Sequence, residues 1–210
     1  KIKRVREGGK FRAKRHDWII NWGNSHVPDW ADPYQWCNWP GHVHTAVDKI
    51  ASLVCLDAWG VSVPKFSTMK PAAQKWLAEG KIVLCRTAIK GHGGAGIVVA
   101  SEQQDLVDAP LYTCHVRHKR EFRVHVVNGK VLLVSEKKKR KGIVPERLVR
   151  SHLNGWVFCN KDIQVPPCVK KEAVKAVLAI GLDFGAVDVG YREKEDKAYV
   201  FEVNTSPGLC

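Results

Sequence analysis

The sequence predicts an α+β fold, with antiparallel or mixed sheets and helices packed on them. Three observations carry this expectation. Asn128-Gly129 stands between two β-branched runs, the strongest short-range hairpin signal. Short apolar runs separated by turn residues recur through residues 81–204. Apolar residues at helical spacing appear in three separate windows between residues 45 and 180. Hairpins this frequent argue against an all-parallel sheet, and the helices give the sheets something to bury against.

Taken in order, Trp18-Ile19-Ile20-Asn21-Trp22 reads as a short strand inside a segment rich in Trp, Pro, Asn and Gly. Five of the eight tryptophans lie at 18, 22, 30, 36 and 39, and packing of a small subdomain is the plainer use for them than base stacking. Residues 45–58 read as a helix capped by Thr45 and ended by Gly60, with Val47, Ile50, Val54 and Ala58 on its stripe. Val61-Ser62-Val63 reads as a short strand. Pro71 opens a second helix, 71–79. Strands follow at 81–86, 97–100, 111–116, 121–128 and 130–135. A helix at 166–180 carries Val169, Ala173, Val177 and Ile180 on one stripe, and strands at 184–190 and 198–204 close the chain.

The 210 residues carry a net charge of +13, and its placement is uneven. Residues 1–16 net +7 and residues 117–150 net +9, so the rest is slightly acidic. Such blocks are either solvated faces or surfaces for an anionic partner. No apolar run approaches the ~20 residues of a membrane span. The basic N-terminus has no apolar stretch behind it, so a cytoplasmic protein without membrane contact is expected. The seven cysteines form no CxxC pair and sit partly in apolar runs, as reduced, buried thiols do. Cys37, His42, His44 and Cys55 match no standard zinc spacing.

Three constellations carry chemistry. Gly91, Gly93 and Gly96 satisfy GxGxxG, but β-branched Ile97-Val98-Val99 follows where a dinucleotide site needs a helix. No Gly-Lys-Ser/Thr closes the loop as in a P-loop. The remaining reading is a glycine loop between strands, whose backbone N–H groups can approach phosphate and which can move as a lid. On the last strand, alternation puts Glu202 and Asn204 on one face and Tyr199, Phe201 and Val203 on the other. If the preceding strand pairs with it, Asp188 joins Glu202 and Asn204 in a hard-oxygen site suited to Mg²⁺. The third is the basic strip, including Arg117, Arg120, Arg123, residues 137–141, Arg147 and Arg150. RNA could use such a strip, but no RNP or KH signature is present.

In order along the chain, Cys85-Arg86-Thr87 with Gly93-Gly94-Ala95-Gly96-Ile97, then Glu121-Phe122-Arg123-Val124-His125-Val126, then Phe201-Glu202-Val203-Asn204-Thr205-Ser206-Pro207-Gly208 resemble the ATP-grasp superfamily. The last motif, with Asp188 upstream, is similar to that of RimK-like carboxylate–amine ligases. The overall texture, Trp18 to Asn24 included, looks like that of small ATP-grasp proteins of tailed bacteriophages. The resemblance implies ATP held between two α+β subdomains. It assigns Mg²⁺ (or Mn²⁺) to Asp188, Glu202 and Asn204, and the phosphate lid to Gly93, Gly94, Ala95, Gly96 and Ile97. Adenine falls at the hinge strand Tyr112, Thr113, Cys114, His115 and Val116, and ribose at Glu121. Arg86 and Arg150 fall to phosphates, with Arg123 and Lys138 as further phosphate or substrate contacts; Arg123 and Arg150 are the catalytic candidates.

The domains expected on this basis are a basic arm with the Trp-rich remnant of an N-terminal subdomain (1–41), a subdomain with the glycine lid (42–116), and a subdomain with the metal site (117–210). Where the family usually has a lysine before the lid, this sequence has Arg86, which can still neutralise phosphate. The implied activity joins a carboxylate-bearing acceptor (a peptide, protein tail or small molecule) to an amine donor. Two other classes compete with it. One is an ATP-grasp scaffold that binds nucleotide without ligation. The other is a basic nucleic-acid-binding protein, which the missing signatures disfavour.

Overall fold

The computed structural model describes residues 9–89, 95–146 and 148–208. Gly93 and Gly94 of the expected lid, residues 1–8 of the basic arm, and Arg147 lie outside the described residues. In chain order, β1 (Ile19–Ile20) pairs in parallel with β2 (Trp36–Cys37), and α1 (Pro40–Val47) and α2 (Lys49–Ala58) follow. Next come β3 (Phe66–Ser67), α3 (Lys70–Ala78), β4 (Val83–Arg86), β5 (Ile97–Ala100) and β6 (Leu111–Cys114). Then β7 (Arg120–Val127), β8 (Lys130–Lys139), β9 (Trp156–Cys159), α4 (Pro167–Ile180), β10 (Phe184–Arg192) and β11 (Lys197–Asn204) complete the order.

Two antiparallel sheets dominate. The smaller runs β3-β6-β4-β5 and packs on α3, with Ala73, Leu77, Val83, Cys85 and Tyr112 in its core. The larger runs β11-β10-β7-β8-β9. One face of the larger sheet presents Phe122, Val124, Val187, Val189 and Val200 to α4, whose Val169, Ala173, Val177 and Ile180 are all buried as their spacing predicts. Helices α1 and α2 join this same core through Val43, Ala46 and Leu56. The other face of the larger sheet is left for the cleft.

The hairpin signal is borne out: Asn128 and Gly129 connect β7 to β8 with φ of 47° and 70°, as a primed turn demands. Three expectations are corrected. The helix at 45–58 is two helices, because Asp48 adopts an extended backbone and caps α2, its Oδ1 accepting from the Ile50 and Ala51 N–H groups at 2.9 and 3.0 Å. Thr45 is therefore no cap. It lies inside α1, where its hydroxyl donates to the Gly41 carbonyl, and Val54 of the expected stripe is exposed. Residues 61–63 form no strand, though the Ser62 carbonyl accepts from Val200 N–H. Strand β9 was not anticipated.

The tryptophan-rich segment is tied down rather than free. Trp30 and Trp36, and Trp36 and Trp39, lie with ring centroids 6.0 Å apart, and Trp22 stacks on Phe184 at 5.3 Å. Buried Asn38 bonds the backbone at Asp183 and Phe184, which anchors the segment to the start of β10.

Candidate functional site

Strand register builds the site. Asp188 lies opposite Glu202 on β11 and opposite Arg123 on β7, and Arg123 lies opposite Ser135 on β8. Directly opposed residues of antiparallel strands share a face, so Glu202, Asp188, Arg123 and Ser135 form one row across the sheet. This face turns toward β4, β5 and β6 of the smaller sheet. The cleft between them is lined by Arg86, Ile97, Thr113, Cys114, His115, Val116, Glu121, Arg123, Arg150, Asp188 and Glu202, all expected from the sequence, and by Ala95 at the end of the glycine loop.

The predicted faces of β11 need one correction. Its register shifts beside Asp188, which pairs with Glu202 while Val189 pairs with Val200, so Phe201 is an extra residue. The bulge returns Val203 to the core face with Val200 and Ala198, while Glu202 lines both the cleft and a neighbouring cavity; Asn204, expected beside it, lines the neighbouring cavity alone. Phe201 also turns to the cleft. Its ring lies over Gly190, where any Cβ would clash with it, and 5.1 Å from His118. The bulge thus aims a carboxylate and an aromatic ring at one site without disturbing the core.

Charge is dense in the cleft. The Arg123 guanidinium grips Asp188 through Nε–Oδ1 at 2.8 Å and Nη2–Oδ2 at 2.9 Å and stacks 4.4 Å from the Phe158 ring. Lys137 Nζ donates to Glu121 Oε1 at 2.5 Å and to the Arg150 carbonyl at 2.9 Å. Arg150 donates to the His118 and Lys119 carbonyls and lies 4.5 Å over Trp156. Burial alone would raise the Glu121 carboxyl, but His118 and Lys137 hold it below the usual range. Glu202 behaves in the opposite way: burial, then the neighbouring Asp188 charge, pushes its carboxyl up. Burial of the Arg86 guanidinium pulls it down, with Glu202 opposing. His115 is pushed down to about 4 by burial, then by His118 and Arg150, so its ring is neutral at pH 7.

Not every expected residue arrives. Tyr112 faces the core of the smaller sheet, its hydroxyl accepting from Ala109 N–H and donating to the Val107 carbonyl. Lys138 lies on the opposite face of β8, paired with Glu136 at 2.9 Å, and neighbouring Lys137 takes the cleft position. Gly96 does not line the cleft; its carbonyl accepts from the Thr87 N–H at 2.8 Å. Reasoning from sequence missed Lys49 and His118, and it placed Lys137 in the basic strip but chose Lys138 as the contact. For Lys137 the only available signal was β8 register, since a run of five cations has no alternation of its own. Lys49 follows the α2 cap, and burial lowers its amine.

The donor set fits a hard divalent cation. Glu202 and Asp188 are adjacent carboxylates, directly opposed on β11 and β10. Among the described residues, no three His, Cys, Asp or Glu side chains cluster into a metal cage. A cation here would draw on Asn204 and on oxygens from outside the protein, as Mg²⁺ does beside phosphates. No helix is long and apolar enough to cross a membrane, again among the described residues.

No family model matches this sequence, and no curated protein matches it either. Solved structures do. The ATP-grasp ligase PsnB complexed with minimal precursor is 18% identical at a TM-score of 0.62, covering 83% of this chain and 56% of that one. D-alanine–D-alanine ligase from Bacillus anthracis is 16% identical at 0.63, covering 80% and 60%. The macrocyclase MdnC bound with precursor peptide MdnA from Microcystis aeruginosa is 13% identical at 0.55, covering 83% and 58%. The chain therefore spans less than two thirds of the length of each. At these identities the likeness shows the fold, and the fold is ATP-grasp.

Proposed function

We propose that this chain is an ATP- and divalent-cation-dependent carboxylate–amine ligase that works through an acylphosphate. The observation that supports it most is the cross-strand row of Glu202, Asp188 and Arg123, facing Arg86, Lys137 and Arg150 in one cleft. Carboxylates able to hold a cation and cations able to hold phosphates meet where two sheets close on each other.

In this reading the nucleobase lies against Thr113 to Val116, with His115 a neutral hydrogen-bonding ring beside it. Arg86, Lys49, Lys137 and Arg150 surround the phosphates, and residues 95–97 cover them. Asp188, Glu202 and Asn204 would hold Mg²⁺ or Mn²⁺, which when bound neutralises charge on the phosphate oxygens. An acceptor carboxylate oxygen attacks the γ-phosphorus and ADP leaves. The amine then attacks the acyl carbon, phosphate leaves, and the amine loses a proton to give the amide. Both nucleophiles come from substrates, so the protein needs no Ser or Cys nucleophile. A peptide acceptor is supported by the precursor peptides bound by PsnB and MdnC. A RimK-like, phage-encoded, cytoplasmic enzyme is the finer form of the same reading.

The test is ADP release by the purified protein with Mg·ATP and a panel of carboxylates and amines. Turnover that disappears in Asp188→Ala and Glu202→Ala supports the ligase. Mg·ATP binding without turnover on any pair favours a nucleotide-binding scaffold. Retention of RNA or DNA at ~0.15 M salt, without nucleotide binding, favours the nucleic-acid reading.

A further inference from the structure

Beside the cleft lies a second cavity, and the two share walls at Lys49, Arg86, Phe201 and Glu202. Its remaining walls come from three places. The Trp-rich segment supplies Gly23, helices α1 and α2 supply Ala46, Val47, Ser52 and Leu53, and the end of β11 supplies Asn204 to Ser206. Gly23 and Ser206 meet at its rim: a Cβ on Gly23 would lie 2.8 Å from the Ser206 Cβ.

Two observations mark it as a binding site. Asn204 lines this cavity and not the cleft, and its Nδ2 group is buried with no hydrogen-bond partner among the described residues. Arg86 Nε, on the shared wall, is buried and equally without a hydrogen-bond acceptor. Orphaned buried donors are costly, and two at one cavity point to an anion that completes them. Cationic Lys49 and the hydroxyl-bearing Ser52, Thr205 and Ser206 add to a donor-rich lining, while Ala46, Val47, Leu53 and Val203 give it apolar surface. Glu202 stands on the shared wall and disfavours a highly charged anion such as phosphate there.

We propose that this second cavity binds the carboxylate-bearing substrate. The carboxylate meets Arg86 and Asn204, and a short apolar stem lies against α1 and α2. The role of this ligand as acceptor rests on the ligase reading; binding of the carboxylate itself does not. The close approach of Gly23 and Ser206 narrows the rim, so slim carboxylates are favoured over bulky ones. Asn204 serves both sites, since its amide oxygen can face a cation while its Nδ2 hydrogens face the carboxylate.

The experiment is titration calorimetry on the whole chain, with and without Mg²⁺ and a non-hydrolysable ATP analogue. The probes are N-acetylglycine, N-acetylalanine and N-acetyltryptophan. The two small acids are expected to bind at least about tenfold more tightly than the tryptophan derivative. Ser52→Leu, which fills the cavity from α2, should weaken them about tenfold or more while leaving nucleotide affinity unchanged. If Ser52→Leu does not fold, Ser206→Leu at the exposed rim makes the same test. Small-acid binding that neither variant alters overturns the proposal, as does no binding of any acid. Failure of the nucleotide to bind sinks the ligase reading alone: acid binding lost in the filled variants would still support the cavity.

Discussion

Arg123 and Asp188 face each other across β7 and β10, and one guanidinium occupies both oxygens of the carboxylate. Asp188 is also a candidate cation ligand, so the arginine and the cation draw on the same oxygens. The pair is mostly buried, with side-chain exposures of 22% and 10%. Lys137 Nζ, 3.8 Å from Asp188, remains when Arg123 is removed.

Arg123→Met should therefore cost the metal-free protein about 2–3 kcal/mol, below the full cost of an orphaned buried charge because Lys137 remains. That corresponds to a melting temperature roughly 4–12 °C lower for a domain of this size. Millimolar Mg²⁺ should restore more stability to the variant than to the wild type, because the cation supplies the charge that Asp188 has lost. Thermal melts with and without Mg²⁺ check both parts. Equal melting of the two proteins would show that the ion pair carries no weight.

Glu202→Gln should act in opposite directions on stability and on function. The folded-state Glu202 carboxyl is raised, so the folded chain holds this proton more tightly than the unfolded chain does. Its stabilising contribution is present at low pH and is lost as pH rises through the folded pKa. At pH 8 and without metal, the variant should melt above the wild type, because glutamine cannot ionise beside Asp188. The same change should abolish Mg²⁺-dependent stabilisation. A variant that melts below the wild type at pH 8 would mean that Glu202 is held by a cation already in the protein.

Adjacent lysines on β8 give a clean contrast. Lys137 reaches Glu121 inside the cleft, whereas Lys138 pairs with Glu136 on the far face and is half exposed. Lys137→Met should weaken nucleotide binding by about tenfold or more, the scale of one charge-assisted contact. Lys138→Ala should stay within about twofold, as exposed ion pairs contribute little. Calorimetry with the ATP analogue decides it, and equal effects would mean that the register of β8 is wrong.

Those two lysines also show how far the sequence could be read. Features fixed by local chemistry were legible: the Asn-Gly turn of β7 and β8, the α4 stripe, and the pairing that sets Asp188 against Glu202. Features fixed by long-range register were not. Which of Lys137 and Lys138 enters the cleft depends on how β8 pairs with β7, whose register shifts at His125 and Val126. The turn of Phe201 into the cleft depends on its being the extra residue of a bulge, which simple alternation cannot show. Likewise the helix break at Asp48 competes with a continuous apolar pattern, and a side-chain cap worth about 1 kcal/mol supports it.

His115 supplies a pH signature for the cleft. Its folded pKa of about 4 lies well below the ordinary 6.5, first through burial and then through His118 and Arg150. Between those values the unfolded chain takes up a proton that the folded chain refuses, so stability falls as pH drops from about 6.5 toward 4. One group can contribute at most about 1.4 kcal/mol per pH unit, and partial exposure reduces that. His115→Gln keeps a polar side chain and removes the titration. Its melting temperature should fall less steeply than that of the wild type across this window, and the two curves should run parallel above pH 7. Carboxylates also titrate below pH 5, but they are common to both proteins, so the difference isolates His115. Curves that stay parallel down to pH 4 would mean that the ring is solvated, leaving no neutral, desolvated partner for a nucleobase at Thr113 to Val116.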